Sequence, residues 1–487
     1  MAASKQHEVV IIGAGPAGLT AAYDAQKLGF RPILFEHAAR VGGIARTEQY
    51  KGYRFDIGGH RFYTKVPEVE ALWHTMLAEQ FQERPRLSRI YYDQTFFPYP
   101  IKLWPTLHKL GVIESTRILL SYLWAKLLPS PIEENFEQWV SNRFGKRLYR
   151  TFFKSYTEKV WGIPTTEIRA EWAAQRIKGL SFRTTVQHAL GGNNGVKSLI
   201  ETFHYPLHGP GMMWEAFQAK IEDAGGEVHC NATVTHLYLK ENRVDQIEIR
   251  VADPDKGEQI VEVISAEHII SSMPLRNLIA SLHPAPPPPV QAAAKALKYR
   301  GFLIVGLIIH EADLFPDNWI YIHEPNVKVG RIQNFKNWSA AMVPDLAYTS
   351  LGMEYFCEEG DTLWCQSDEA LITLAKQELM MLGLANASLV VDGCVIRQPK
   401  AYPTYDAEYQ KQLVIIREYL DGIENLQTIG RNGMHRYNNQ DHSMLTGILA
   451  ARNLAGESHD LWNVNTERSY YEEWTLTPQT EPLSASE

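Results

Sequence analysis

The chain has 487 residues, 45% apolar and 21% charged, with 48 basic side chains against 56 acidic ones and a formal net charge of −8. That length supports two or three lobes around a large core, and the composition is that of a globular chain. An acidic balance without a basic stripe excludes nucleic acid as the natural partner, and four scattered cysteines (Cys230, Cys357, Cys365 and Cys394) make no metal pattern, so reduced thiols and no metal are expected.

Met1–Glu8 has no apolar signal-peptide core, and no window reaches the length of a membrane span, which gives a cytoplasmic expectation. The apolar run Val9-Val10-Ile11-Ile12 then meets the turn Gly13-Ala14-Gly15-Pro16-Ala17-Gly18. Helical spacing follows from Leu19 to Leu28, and Pro32-Ile33-Leu34-Phe35 ends in Glu36. In a nucleotide-binding strand–helix–strand unit, the first glycine makes the tight turn and the second admits a pyrophosphate. The third lets helix and strand pack closely. Glu36 stands about twenty residues on, where a carboxylate accepts from both ribose hydroxyls and repels a 2′-phosphate. That argues against NADP.

Gly42-Gly43-Ile44-Ala45-Arg46-Thr47 follows, then Gly58-Gly59-His60 within Phe55–Tyr63. Paired glycines let backbone pass close to a flat ring, and His60 either faces such a ring or is hydrogen-bonded in its loop. Between Val112 and Leu128, Ile113, Leu119, Leu120, Tyr122, Leu123, Leu127 and Leu128 recur at helical spacing with Arg117 and Lys126 interspersed. Such a stripe packs into a core more often than it touches lipid, so core packing is expected and membrane contact is left open.

An amphipathic helix runs from about Pro210 to Ala224, and a strand beyond Gly225-Gly226 ends at Val234. Ala266–Pro274 reads as a buried strand closed by proline, Pro284–Pro289 as a stiff connector, and Gly301–Ile309 as a buried strand. Trp319–Pro325, Arg331 and Tyr355 mark aromatic-rich strands, which serve as core more often than as a site. Leu426–Arg431 is a further strand, and the donor-rich run Arg431–Met444 enters a helix ending near Leu454. That run contributes His435 and His442 as candidate proton-transfer groups.

The expected architecture is α/β. A discontinuous Rossmann-type domain takes residues 1–65, 206–282 and 420–460, interrupted by a helical lobe (66–205) and a strand-rich substrate-binding segment (290–419), with a flexible tail at 475–487.

Gly42-Gly43, Arg46 and Thr47 resemble the second flavin motif of the FAD-dependent amine oxidase and protoporphyrinogen oxidase superfamily. Gly58–Thr64 resembles the loop that UDP-galactopyranose mutases place beside their flavin. Phe97–Ile101, Ser155–Gly162, Ala174–Ile177, Tyr299-Arg300 and Gly430-Arg431 with Tyr437 follow that family's segments in order. The stretches Tyr205–Glu215 and Ala266–Pro274 are more similar to the protoporphyrinogen oxidase and phytoene desaturase branch.

The resemblance implies FAD as cofactor. It would be held by Gly13, Gly15, Pro16, Ala17, Gly18, Glu36, Gly42, Gly43, Arg46, Thr47, Gly58, Gly59, His60, Val234, Gly430, Arg431, Asp441, His442, Ser443 and Met444. It also implies that Tyr156 and Trp161 flank a flat group and that Arg176, Arg300 and Tyr437 meet a phosphate, with Arg331 and Tyr355 as further substrate contacts. Two departures stand out: Asn439 where the mutases carry an aspartate, and Leu180 where they carry a second arginine.

These departures make an FAD-dependent oxidoreductase the expected function. Hydride would pass to flavin, Arg300, Arg331 and Tyr437 would orient an anionic or glycosyl substrate, and His60, His435, His442 or a tyrosine would take the proton. A mutase working through reduced flavin and a non-catalytic flavin-binding module are the alternatives. The expected partner is a small molecule, with nucleotide-sugars and lipid-linked compounds as candidate classes. Oligomeric state is left open.

Overall fold

The computed structural model describes residues 6–99, 101, 103–170, 202–252, 259–406 and 408–465. β1 (Gln6–Ile12) begins an eight-stranded sheet because its apolar run is sheltered on both faces. Val9 and Ile11 enter the core that holds the helix α1 (Pro16–Lys27), while Val10 and Ile12 enter the opposite one. β1 lies parallel to β2 (Pro32–Phe35) on one side and to the strand Gln259–Ser271 on the other. Glu227–His229 and Leu426–Thr428 extend this parallel layer at its two sides. Three distant stretches of chain therefore build one Rossmann-type layer. Beyond Gln259–Ser271, the strands Arg243–Ala252 and Ala232–Lys240 continue as an antiparallel meander.

A seven-stranded sheet forms the second layer. Its longest buried strand, Tyr299–Ile309, lies second from one edge and pairs antiparallel with Thr349–Cys357 and Val390–Pro403. Arg331–Asn334 and Trp319–Ile322 follow, and then a hairpin from the N-terminal half, Ser88–Tyr92 with Thr95–Pro98. The sequence assigns that hairpin to the helical segment. In the fold its alternating aromatics complete the strand-rich sheet instead, with Ile90 and Phe97 in the helical-lobe core. The proline run also differs from a plain connector. Pro288 opens the helix Pro288–Ala296, at a position where a missing N–H costs no hydrogen bond.

Helices Leu103–Leu127, Phe136–Phe144 and Ser155–Trp161 form a third group around Phe136, Trp139, Tyr149, Phe152 and Trp161. The first of them breaks at Gly111 and then turns an apolar face outward: Val112 is 84% exposed, Trp124 66% and Leu127 76%. Core packing of this stripe is therefore corrected. Only Ile118 and Ala125 on its inner side are buried. Among the described residues, no helix is long and apolar enough to cross a membrane.

Candidate functional site

A cleft of about 1240 Å³ runs from the first glycine turn to the second sheet. It exceeds the roughly 300–1,000 Å³ of an ordinary small-ligand pocket, leaving room for a dinucleotide and a second molecule. Its far end opens on α1, where Gly15, Pro16 and Ala17 form the wall. The first-turn amides there have no intrahelical acceptor, no side chain caps them, and no acid competes for an incoming phosphate. Gly18 lies behind the wall: a Cβ on it would meet the Gly13 carbonyl oxygen at 1.9 Å, so only glycine allows this helix–strand contact. Its role is packing.

Glu36 sits beside that helix end. Its carboxylate accepts from the Ala14 amide at 2.8 Å, the Ala38 amide at 2.9 Å and the His37 ring at 2.8 Å. Burial opposes its charge, yet the bonds from His37 and the two amides hold the carboxyl below its ordinary range. It is an anchored acceptor on the cleft wall, suited to sugar hydroxyls. Val234 lines the cleft nearby. Arg46 crosses it, donating to the Gly43 carbonyl at 2.8 Å and to Gln398 Oε1 at 2.9 Å. Gly42 and Thr47 stand outside the wall as framework. The Gly42 amide donates to Ala14, and the Thr47 hydroxyl donates to Asp56 while accepting from the Gly211 amide.

Midway, Gly58, Gly59 and His60 face the space. His60 Nε2 donates to the Ile57 carbonyl at 2.9 Å, and burial pushes its pKa down to about 4. The ring is a neutral loop anchor at neutral pH. Opposite, Gly430 and Arg431 lead to the N-terminus of the helix Gln440–Leu454, where Asn439, Gln440, Asp441 and Ser443 complete the wall. Arg431 donates through Nε to Ala401 and through Nη1 to Asn438, and its guanidinium lies 4.0 Å over the Tyr437 ring. Its Nη2 is buried with no protein acceptor, and Gln440 Oε1 is buried with no protein donor. Buried polar atoms left over at a cleft are what a bound polar group would satisfy.

The near end is an aromatic and charged wall from the second sheet. Trp319, Tyr321, Trp338, Tyr402 and Tyr437 surround Arg331 and Gln333. Arg331 Nε donates to Glu354 at 2.5 Å, and Gln333 Nε2 donates to the same carboxylate at 2.9 Å. Glu354 is fully buried; burial raises its pKa while Arg331 draws it back. Tyr156 stands behind Tyr321 and Arg331, stacked on His323 with ring centroids 5.0 Å apart. Glu354, Gln333 and Tyr402 escape the sequence reading. A lone acid inside the apolar strand Thr349–Cys357 is the signal that marks Glu354.

Several expected residues lie elsewhere. Tyr355 points to the other face of its strand, into the core with Leu303 and Leu371. His435 is buried against Tyr299 and 3.4 Å from the Thr404 carbonyl, and His442 is buried beside Asp441; neither lines the cleft. Burial lowers their pKa values to about 4 and about 3. The Met444 sulfur accepts from Trp73 Nε1 in the core. Arg300 packs over Gly162 and reaches Glu358 and the Lys159 carbonyl, tying a helix end to the sheet. Trp161 belongs to the helical-lobe core. Arg176 and Leu180 fall outside the described residues. Among the described residues, no cluster of side chains could hold a metal.

A family model described as "NAD(P)-binding Rossmann-like domain" matches residues 11–76. The FAD-binding monooxygenase lolF1 of Epichloe uncinata is 29% identical over 37% of this chain and 29% of its own length. A probable UDP-galactopyranose mutase of Klebsiella pneumoniae is 27% identical over 33% of this chain and 43% of its own. The chain thus matches less than half of either relative. A crystal structure of reduced UDP-galactopyranose mutase superposes on 94% of this chain and 98% of its own with a TM-score of 0.80 at 22% identity. The shared property is the fold, a Rossmann-type layer joined to a second sheet and a helical lobe.

Proposed function

We propose that this Rossmann-type chain binds FAD along the cleft and oxidises a small molecule held against the Arg331 wall. The observation carrying this reading is the cleft's continuity. It runs from an uncapped helix end and an anchored acid, past paired glycines, to an aromatic wall holding a cation. Bound there, FAD supplies a two-electron acceptor for hydride.

The chain's own contribution is binding and orientation. The start of α1 meets diphosphate charge, Glu36 accepts from ribose hydroxyls, and Arg431 Nη2 donates to an acceptor on the cofactor. Tyr402 and Tyr437, stacked 5.9 Å apart, give a flat substrate face. Arg331, fixed by Glu354, attracts an anionic or glycosyl-phosphate substrate. No histidine in the described residues is placed as a ready base at this wall: His60 is held by Ile57, and His435 and His442 are away from it. The Tyr402 and Tyr437 hydroxyls at this wall are the candidates for proton transfer.

A second reading, a nucleotide-sugar mutase working with reduced flavin, is favoured by the placement of Tyr156 beside Arg331, an aromatic next to a cation. Anaerobic incubation with sugar nucleotides and with polyprenyl or porphyrin-like compounds separates the two. Bleaching of the flavin band by a substrate is the expected result. An isomerised product formed only by pre-reduced protein would assign the mutase instead.

A further inference from the structure

We infer that the outward face of the helix after Gly111 docks on an anionic lipid surface. Val112, Ile113, Leu120, Leu123, Trp124 and Leu127 share this face, and each is between 48% and 84% exposed. The helix is not loose. Its inner side is clamped by buried Ile118 and Ala125, and a Cβ on Gly145 would meet the Tyr122 amide nitrogen at 2.7 Å. A firmly seated helix therefore presents a row of large apolar side chains, including a tryptophan, to whatever lies outside. Scattered single apolar residues need no explanation, but a contiguous helical face does.

Charge selects the occupant. Helical spacing puts Arg117 on one flank of this face and Lys126 on the other, both exposed, with Lys109 near its N-terminal end. The helix's single acid, Glu114, is shared between two cations: Arg147 donates to it at 2.5 and 2.9 Å, and Arg117 lies 3.6 Å from it. Lys109, Arg117, Lys126 and Arg147 thus stand against one acid along this helix, in a chain whose net charge is −8. An apolar face bordered by long basic side chains is what an interfacial helix needs. The stems lie along the acyl boundary while the charged heads reach lipid phosphates. A second copy docked on the same face by two-fold symmetry would set the basic flanks against one another.

The full-length chain should co-sediment with vesicles of phosphatidylcholine containing phosphatidylglycerol, less with phosphatidylcholine alone, and less as salt rises. Leu120→Glu with Leu127→Glu should weaken the partition about tenfold or more, because two apolar side chains that would enter the lipid become charges. Arg117→Glu with Lys126→Glu should remove the preference for anionic vesicles, whereas Met381→Glu, at another exposed apolar site, should change nothing. Far-ultraviolet circular dichroism matching the native chain excludes misfolding as the cause. Absence of co-sedimentation by the native chain overturns the inference. So does a dimer in light scattering that Leu120→Glu with Leu127→Glu dissociates while vesicles go unbound, which would assign the face to a second copy.

Discussion

A histidine held away from bulk water, in the core or on the wall of a deep cleft, stays neutral because its charged form loses more hydration than its neighbours return. His60 and His435 are driven to about 4, His323 and His442 to about 3, each chiefly by burial. The unfolded chain takes up protons at these rings near pH 6.5, and the folded chain does not. Stability therefore falls as pH drops from about 6.5 towards 4, with the slope set by the excess protons bound when unfolded. Melting temperature followed from pH 7.5 to 5 should decline, and His435→Phe should flatten the decline; a flat native profile would contradict the burial of these rings. At this scale the glycine turn and Glu36 were legible, because their work is local: a turn, a helix end and one acid reaching the Ala14 amide. His435 was not, since what buries it (Tyr299, Thr404) comes from remote chain, and the burial of His442 is packing that spacing does not encode.

Among the elements, strand register decides what the second sheet offers the cleft. Arg331 pairs opposite Glu354, so their side chains share the cleft face and Tyr355 takes the other. The sequence marked the strand and named a residue one place away. Because side chains alternate, one place is the whole difference between wall and core. Periodicity likewise made the helix after Gly111 legible but not its exposed side, which depends on neighbours that bury only Ile118 and Ala125 of it. Glu354→Ala would leave the largely enclosed Arg331 guanidinium on the cleft wall without its buried counter-charge. Chemical denaturation should then show a loss of about 3 kcal/mol or more, partly recovered when Arg331→Met is added. No loss on Glu354→Ala would mean that the pair is not sealed in the folded protein.

For the molecule as a whole, the cleft exists because two sheets and the Gln440–Leu454 helix converge on one space, with wall residues running from Ile12 to Ser443. The order of the motifs was legible along the chain, as was the split of the Rossmann layer into separated stretches. Their convergence was not, because it depends on long-range pairings such as β1 with Gln259–Ser271, which adjacency in sequence does not specify. The central claim is that an adenine-flavin dinucleotide fills this space, and anaerobic titration of the protein, stripped of any ligand, with FAD tests it most directly. The expected result is saturable binding of one FAD per chain with a shifted visible band. Glu36→Gln should bind at least about tenfold more weakly through the lost charged acceptor. A chain that stays colourless and takes up no FAD, or that binds a nicotinamide dinucleotide in its place, would contradict it.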